Sequence, residues 1–184
     1  AEVRIVQDID ARKAEECARK FGIPNWTTDA AKVLASEVDI VDVSTPNHLH
    51  ASQSIAALEA GKHVLVQKPM APTVAECEQM IAAARKNGQQ LGVYMSALND
   101  PLNHEIKRMV ERGFFGAISS ARTRGAHLGG LHMKPKNLQW RSSVAKTGGG
   151  SFIQLAIHGI HLLEWILQSD IVRVAAFSKN LICK

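Results

Sequence analysis

Two consecutive strand-turn-helix units constrain the fold of this 184-residue chain most strongly. Residues 63–69 form an apolar run that ends in Lys68 and Pro69, and residues 38–50 form an apolar run that is broken by Pro46 and followed by a helical segment. Strands that alternate with helices predict a parallel sheet with right-handed crossovers. Ligands of such sheets bind beyond the carboxyl ends of the strands. We therefore expect the polar residues of both turns to face one crevice.

Periodicity and capping residues predict the other elements. Helices are predicted over residues 11–21, 30–35, 49–60, 74–87 and 101–112, and strands over residues 3–10, 38–44, 62–66 and 90–94. The pattern changes near Ser96. Beyond that point we predict a strand over residues 117–127, a loop over 128–135, an apolar helix over 151–167 and a last strand over 171–177.

The chain resembles the glucose-fructose oxidoreductase/inositol dehydrogenase/MocA (Gfo/Idh/MocA) family of nicotinamide-dependent sugar oxidoreductases. The residues that carry this resemblance are Thr45-Pro46-Asn47, His50, residues 60–64, Lys68-Pro69, Gly148-Gly149-Gly150 and His158. Members usually have glutamate in place of Gln67 and aspartate in place of Gln154. The resemblance implies an α/β fold: an incomplete Rossmann-type parallel sheet over residues 1–96, followed over residues 97–184 by part of an α+β domain for substrate binding and homo-oligomerisation.

The start of the chain lacks the motif that usually holds a dinucleotide. Such folds open with a strand and a Gly-x-Gly-x-x-Gly turn that binds the pyrophosphate. Residues 3–10 read instead as the second strand, so we expect a fragment that lacks the first β-α unit and the C-terminal part and is inactive alone. Asp8 lies where an acidic residue binds the adenosine ribose, which favours NAD over NADP. The alternative role is that of a helix cap, which we expect of Asp10.

Lys68 and His158 are the predicted catalytic residues. An ammonium at the end of a buried strand can hydrogen-bond a substrate hydroxyl and stabilise developing alkoxide, although lysines also lie on surfaces with a buried stem. The resemblance implies that His158 takes the hydroxyl proton while hydride leaves the same carbon, and a side chain that titrates near neutrality suits this task. On an α-helix Gln154, His158 and His161 would share one face, and we regard His161 as structural.

The resemblance also implies which other residues contact the ligands. The predicted cofactor-binding residues are Asp8, Thr45, Pro46, Asn47, His50, Lys68 and Pro69, and the predicted substrate-binding residues are Lys68, Tyr94, Trp140, Arg141, Gln154 and His158. It further suggests a cis bond before Pro69. Ordinary turn chemistry is the alternative for the Thr45 turn, and a place in the core is the alternative for Tyr94.

Composition and motifs argue against several other classes. The formal net charge of +5 comes without a basic cluster interleaved with aromatic residues, so nucleic acid is not an expected partner. No signal peptide or long apolar run predicts a membrane association. The three scattered cysteines indicate reduced thiols in a cytoplasm. We predict no metal site, since a zinc site of His127, His132, His158 and His161 would lack a carboxylate or thiolate at a recurring spacing.

Three functions remain open on the sequence alone. The first is an NAD(P)-dependent dehydrogenase that transfers hydride from a secondary hydroxyl of a sugar, inositol or related polyol. The second is a glycoside-cleaving enzyme of the same family that oxidises its substrate transiently and retains NAD. The third is a cofactor-binding sensor or scaffold that has lost turnover together with the carboxylates that Gln67 and Gln154 replace.

Overall fold

The computed structural model describes residues 1–125, 139–150 and 152–177. The chain divides into two compact units. The first contains Ala1–Thr45 and Leu49–Val93, and the second contains Pro46–His48 and Tyr94–Lys184.

Strands and helices alternate over the first 94 residues. The order is β1 (Ile5–Gln7), α1 (Ala11–Phe21), β2 (Asn25–Thr27), α2 (Ala30–Ala35), β3 (Ile40–Val43), α3 (Asn47–Glu59), β4 (His63–Gln67), α4 (Val74–Asn87) and β5 (Leu91–Tyr94). The predicted α/β pattern is confirmed, with strands shorter than expected by up to five residues. Helix α3 begins two residues before its predicted start.

Local capping chemistry sets the helix ends where the sequence predicted them. Asp10 accepts hydrogen bonds from the backbone N–H groups of the first turn of α1, and Gly22 ends that helix in the left-handed conformation at φ 65°. Thr73 and Glu76 form the reciprocal capping box of α4. These contacts satisfy amide groups that have no partner within the helix, which is why such residues fix helix boundaries so reliably.

The strands form two separate ladders in the first unit. β1 pairs in parallel with β2, so that Val6 lies opposite Trp26. β3 pairs in parallel with β4, so that Val43 lies opposite Val66, and β5 lies on the far side of β4. A parallel register places the carboxyl ends of β3 and β4 at one edge, and the turns that follow both strands lie there.

The core of the first unit lies between the second ladder and helices α3 and α4. It consists of Val43, Ala51, Ala57, Leu58, Val64, Val66, Ala71, Met80 and Ala84. The alternation of buried and half-buried residues along β4 and the small residues of α3 let helix and strand pack closely. This packing holds the turns after β3 and β4 in place.

The described part of the second unit is mainly helical. A 3-10 turn over Ser96–Asn99 precedes α5 (Pro101–Glu111), and a second 3-10 turn over Gln139–Ser142 precedes α6 (Val144–Thr147). A π-helical turn over Phe152–Ala156 then leads into α7 (Ile157–Leu167). The predicted helix after Asp100 and Pro101 is confirmed, because Asp100 accepts from Leu102 N–H and caps it.

Two predicted strands of the second unit are wrong where the structure describes them. Residues 117–125 and 171–177 have no regular secondary structure, and Val174 and Phe177 are exposed. Alternation of apolar and polar residues predicts only which side chains share a face, whereas a strand also needs a neighbour to complete its hydrogen bonds. The remainder of the first predicted strand and the predicted loop over 128–135 lie outside the described residues.

One helical stretch of the second unit is both long and apolar. Val144–Leu167 has a mean hydropathy of 1.2 and would be long enough to cross a membrane by length and composition alone. Core helices of soluble proteins pass the same test, so it is weak evidence for a span. Its path is also broken by the three glycines between α6 and the π-helical turn, Gly148, Gly149 and Gly150, all of which have positive φ values, of 83°, 158° and 60°.

Candidate functional site

The turn after β3 and the start of α3 hold three of the predicted cofactor-binding residues. Thr45 donates its hydroxyl hydrogen bond to Oε1 of Gln53, 2.6 Å away on α3. Pro46 is half-buried, and Asn47 at the start of α3 is 3% exposed. Asn47 donates through Nδ2 to the backbone oxygen of Thr147 at 3.0 Å, across 100 residues of sequence. Asn47 therefore has a defined structural partner that the sequence did not reveal.

The turn after β4 places Lys68 directly beyond the strand. Lys68 is half-buried and Pro69 is buried. The bond between them is cis, as the resemblance implied. Oε1 of Gln67 accepts the backbone N–H of Lys68 at 3.2 Å. The glutamine that replaces the usual carboxylate thus binds the main chain of the predicted catalytic residue.

His50 connects these two turns. Its side chain is 1% exposed, with Nδ1 at 2.8 Å from the carbonyl oxygen of Pro69 and Nε2 at 2.8 Å from that of Thr45. Both ring nitrogens are therefore engaged with the backbone. The structure brings His50, Thr45 and Pro69 together, and the cofactor-binding role of His50 stays a prediction.

Asp8 follows β1 at its carboxyl end. Its Oδ1 accepts the backbone N–H of Asp10 at 2.9 Å, while Asp10 itself caps α1. The N–H of Asp8 is bonded to the carbonyl oxygen of Thr27, at 3.3 Å, which fixes the backbone beside β2. Within the described residues Oδ2 of Asp8 makes no hydrogen bond. A carboxylate held by one oxygen at the end of a parallel strand suits the binding of a ribose hydroxyl.

Thr147 organises the glycine turn in the second unit, and the sequence analysis missed it. Its side chain is fully buried. The hydroxyl donates to the backbone oxygen of Ser143 at 3.0 Å and accepts the N–H of Gly150 at 2.9 Å. The three glycines that follow Thr147 were the available signal, because a turn built from such residues needs a side chain to satisfy its amide groups.

Gln154 and His158 lie on consecutive but different helical segments. Gln154 is in the π-helical turn and His158 is in the first turn of α7. A π-helix bonds residue i to i+5, so the four-residue spacing that aligns side chains on an α-helix does not hold across this junction. The predicted single α-helix over 151–167 is thus wrong in its first turn. π-helical turns are frequent at functional sites.

The residue after His158 is packed too tightly to carry a side chain. A Cβ atom on Gly159 would lie 2.6 Å from Cγ2 of Thr123. Thr123, in the segment before residue 125, therefore lies against the first turn of α7. Gly159 is a second residue that the sequence analysis did not single out.

The other end of α7 is fastened to α5 around Trp165. The His104 ring meets the Trp165 ring edge-on at 4.9 Å, and the Lys107 ammonium lies 5.3 Å from its centroid. Lys107 also donates to Glu111 at 2.7 Å, which lowers the pKa of that carboxyl below its usual range. His158 is therefore on a helix held near both of its ends.

The remaining predicted substrate residues are accessible. Tyr94 ends β5 and is 42% exposed, which excludes the alternative that it belongs to the core. Trp140 and Arg141 lie in the second 3-10 turn, with the guanidinium carbon 4.6 Å from the indole centroid. This stacking arranges a planar aromatic and a cation side by side.

The described part of the chain contains no candidate metal site. No group of three or more His, Cys, Asp or Glu side chains within it is placed to hold an ion. His127 and His132, which the zinc alternative requires, lie outside the described residues. Cys17 and Cys77 are unpaired thiols, and burial raises the pKa of the Cys77 thiol.

Comparison with known proteins identifies both halves of the chain. Residues 1–95 match the family model described as the oxidoreductase family with an NAD-binding Rossmann fold, and residues 103–184 match the Gfo/Idh/MocA C-terminal domain. Levoglucosan dehydrogenase of Pseudarthrobacter phenanthrenivorans is 33% identical over 89% of this chain and 42% of its own length. The 1,5-anhydro-D-fructose reductase of Ensifer adhaerens is 30% identical over 97% of this chain and 53% of its own length.

A solved structure supports the same assignment. Levoglucosan dehydrogenase in complex with NADH and levoglucosan superposes with a TM-score of 0.71 at 28% identity, over 90% of this chain and 45% of that one. This chain spans about half the length of the curated relatives that it matches. Because a family model covers more than half of the residues, and the turns that carry the family's motifs are formed, the chain belongs to the Gfo/Idh/MocA oxidoreductase family.

Proposed function

We propose that the protein is an NAD-dependent oxidoreductase that transfers hydride between the nicotinamide and a secondary hydroxyl of a sugar, inositol or related polyol. The match of residues 1–95 to an NAD-binding family carries this proposal. The named relatives, which include dehydrogenases for levoglucosan and inositol, support the substrate class. In this proposal residues 1–96 bind the cofactor and residues 97–184 contribute to the substrate site.

Lys68 and His158 have the catalytic roles in the proposal. The Lys68 ammonium, supported on a strand end by Gln67 and the buried Pro69, orients the substrate hydroxyl and stabilises negative charge on its oxygen. His158, on a helix held by α5, accepts the hydroxyl proton during oxidation and returns it during reduction. NAD, when bound, supplies the acceptor and donor of the hydride.

The other predicted residues bind rather than react. Asp8, Thr45, Pro46, Asn47, His50 and Pro69 form the proposed cofactor-binding set, and Tyr94, Trp140, Arg141 and Gln154 form the proposed substrate-binding set. Two different roles exist within the first set: Asp8 contacts the ribose, whereas His50 acts through the backbone of its partners. The exposed ring of Tyr94 and the stacked Trp140–Arg141 pair suit a sugar, which presents both hydroxyl groups and apolar faces.

Alanine substitution at the two catalytic positions tests the proposal. In the whole protein, Lys68→Ala and His158→Ala should each lower NAD-dependent turnover of a polyol panel by roughly 10² to 10⁴-fold, the loss expected for a positioned acid or base. NAD binding, measured by fluorescence titration, should persist. Lys62→Ala, at the residue before β4, and His161→Ala on α7 are matched controls that should retain turnover.

The products of the same assay separate the dehydrogenase from its alternatives. Net formation of NADH with an oxidised polyol supports the dehydrogenase. Cleavage of a glycoside without net change in NAD would replace it by the transiently oxidising enzyme. Saturable NAD binding with neither reaction across the panel would identify a sensor or scaffold instead.

Asp8 determines cofactor choice in this proposal. Its negative charge repels the 2′-phosphate of NADP, and the neighbouring Ile9 is 92% exposed, so an arginine would fit there. Asp8→Ser combined with Ile9→Arg should therefore shift the ratio of kcat/KM values toward NADP. An unchanged ratio would reduce Asp8 to a local cap of the Asp10 amide.

Homo-oligomerisation and a cytoplasmic location complete the proposal. Exposed apolar side chains of the second unit, among them Phe114, Phe115 and Val172, support self-association. The unpaired thiols Cys17 and Cys77 are consistent with a reducing compartment. Light scattering after size exclusion and localisation of a tagged protein are the respective tests.

A further inference from the structure

His50 is held in a way that a neutral histidine does not satisfy. Both ring nitrogens lie at 2.8 Å from backbone carbonyl oxygens, Nδ1 from that of Pro69 and Nε2 from that of Thr45. A carbonyl oxygen can only accept a hydrogen bond, so each nitrogen must donate one. Neutral imidazole has a single N–H, and its second nitrogen would direct a lone pair at the other carbonyl oxygen.

Burial makes this requirement strict. The side chain is 1% exposed, so water does not replace a missing hydrogen bond. A buried polar atom without a partner is costly, and hydrogen bonds from a charged donor are stronger than those from a neutral one. Two carbonyl dipoles directed at opposite sides of the ring partly compensate the cost of burying its charge.

We propose that His50 is an imidazolium that binds the carbonyl oxygens of Thr45 and Pro69 simultaneously and thereby positions the backbone beside Lys68. Thr45 lies two residues beyond β3, and Pro69 lies two residues beyond β4. His50 thus joins the ends of neighbouring strands through one side chain. It is a positioning residue, because it acts on Lys68 through the main chain of Pro69.

The hydrogen-bond partners of the His50 ring are the two carbonyl groups rather than nearby charged side chains. Asp42 on β3 is engaged by the hydroxyl of Ser44, and Glu76 on α4 is engaged in the capping box with Thr73. The other titratable groups on the strands, helices and turns that carry these contacts are His48, Glu59, His63, Lys68, Cys77, Glu78, Arg85 and Lys86. Among the described residues, no carboxylate is hydrogen-bonded to the His50 ring.

His63 is an internal control, because one of its ring nitrogens accepts a hydrogen bond instead of donating one. Its Nδ1 accepts the backbone N–H of Gln90 at 3.0 Å, so that nitrogen carries no proton. In the proposal, His63 thus has a ring nitrogen that accepts a hydrogen bond, whereas both ring nitrogens of His50 donate one. The His50 and His63 rings lie in one molecule and experience the same pH.

Nitrogen NMR of protein labelled with ¹⁵N-histidine tests the charge directly. At neutral pH both His50 nitrogens should resonate as protonated imidazole nitrogens, whereas Nδ1 of His63 should resonate far downfield as an unprotonated one. Through-bond correlation to the backbone assigns the rings without a variant that alters the core. An unprotonated nitrogen in His50 at neutral pH would overturn the proposal.

A pH titration of the same sample tests the positioning role. Loss of a proton from His50 should move the backbone amide resonances of both turns, residues 45–47 and 68–70, at the same midpoint as the ring. Turn resonances that stay fixed, or that follow another midpoint, would refute the coupling. Neither readout requires substrate or NAD, so failure here is distinguishable from failure of the proposed function.

Discussion

The buried Asn47 amide offers the sharpest test of a contact between residues that are distant in the sequence. Its Nδ2 donates to the Thr147 carbonyl oxygen at 3.0 Å, and the two residues are 3% and 0% exposed. Asn47→Asp preserves the shape of the side chain but replaces this donor by an oxygen that repels the carbonyl. It also places a negative charge where water has no access.

The expected cost follows from these two effects. An unsatisfied buried acceptor costs about 1–3 kcal/mol, and an uncompensated buried charge costs more. A carboxylate in the first turn of α3 regains about 0.3–1 kcal/mol from the helix dipole, which is the smaller quantity. We therefore expect Asn47→Asp to lower the free energy of unfolding at pH 7 by roughly 2–4 kcal/mol.

Acid should reverse this loss, since a protonated carboxyl can donate its O–H to the same carbonyl oxygen. Burial raises the folded-state pKa of the introduced acid above its unfolded value of about 3.9, so the variant is relatively most stable below that pH. The deficit then grows as the pH rises through the folded-state pKa.

Urea unfolding of the wild type, Asn47→Asp and Asn47→Ala between pH 3.5 and pH 8 measures these differences. Asn47→Ala removes the donor without adding a charge, so its deficit should stay constant with pH. Equal stability of Asn47→Asp and the wild type at pH 7, or identical pH dependence of the two variants, would refute the reasoning.

Three further predictions follow from other contacts. The wild type should have a larger free energy of unfolding than Glu111→Gln at neutral pH, because the Lys107 hydrogen bond lowers the folded-state pKa of Glu111. This difference should disappear as the pH falls below the usual glutamate range, and urea unfolding of both proteins across this pH range measures it. Alkylation of Cys77 by iodoacetamide should be slower at pH 8 than that of a model thiol, and its half-maximal pH should lie above that of the model thiol, because burial raises its pKa; equal rate profiles would contradict this. Gly159→Ala should destabilise the protein by about 1–3 kcal/mol through overpacking, and Thr123→Ala should restore part of the loss in a double-mutant cycle.

The sequence by itself determined those features that depend on neighbours along the chain. Asp10, and Thr73 with Glu76, begin their helices and Gly88 ends one, because each side chain or backbone conformation satisfies amide or carbonyl groups within a few residues. The two apolar runs before Pro46 and Lys68 became parallel neighbours, because buried strands joined by a helix have few other arrangements. The turn that carries Lys68 could therefore be placed at a sheet edge from the sequence.

Tertiary structure alone decided the features that depend on distant partners. The predicted strand over residues 171–177 failed because alternation does not supply a hydrogen-bonding neighbour. The importance of Thr147 became evident only from the hydrogen bond between its carbonyl oxygen and the Asn47 amide, 100 residues away. Likewise the sequence marked His50 only as a motif residue, and its two carbonyl partners became evident when the ends of β3 and β4 were brought together around its ring. Burial turns such contacts from optional into required, since water no longer competes for the same donors and acceptors.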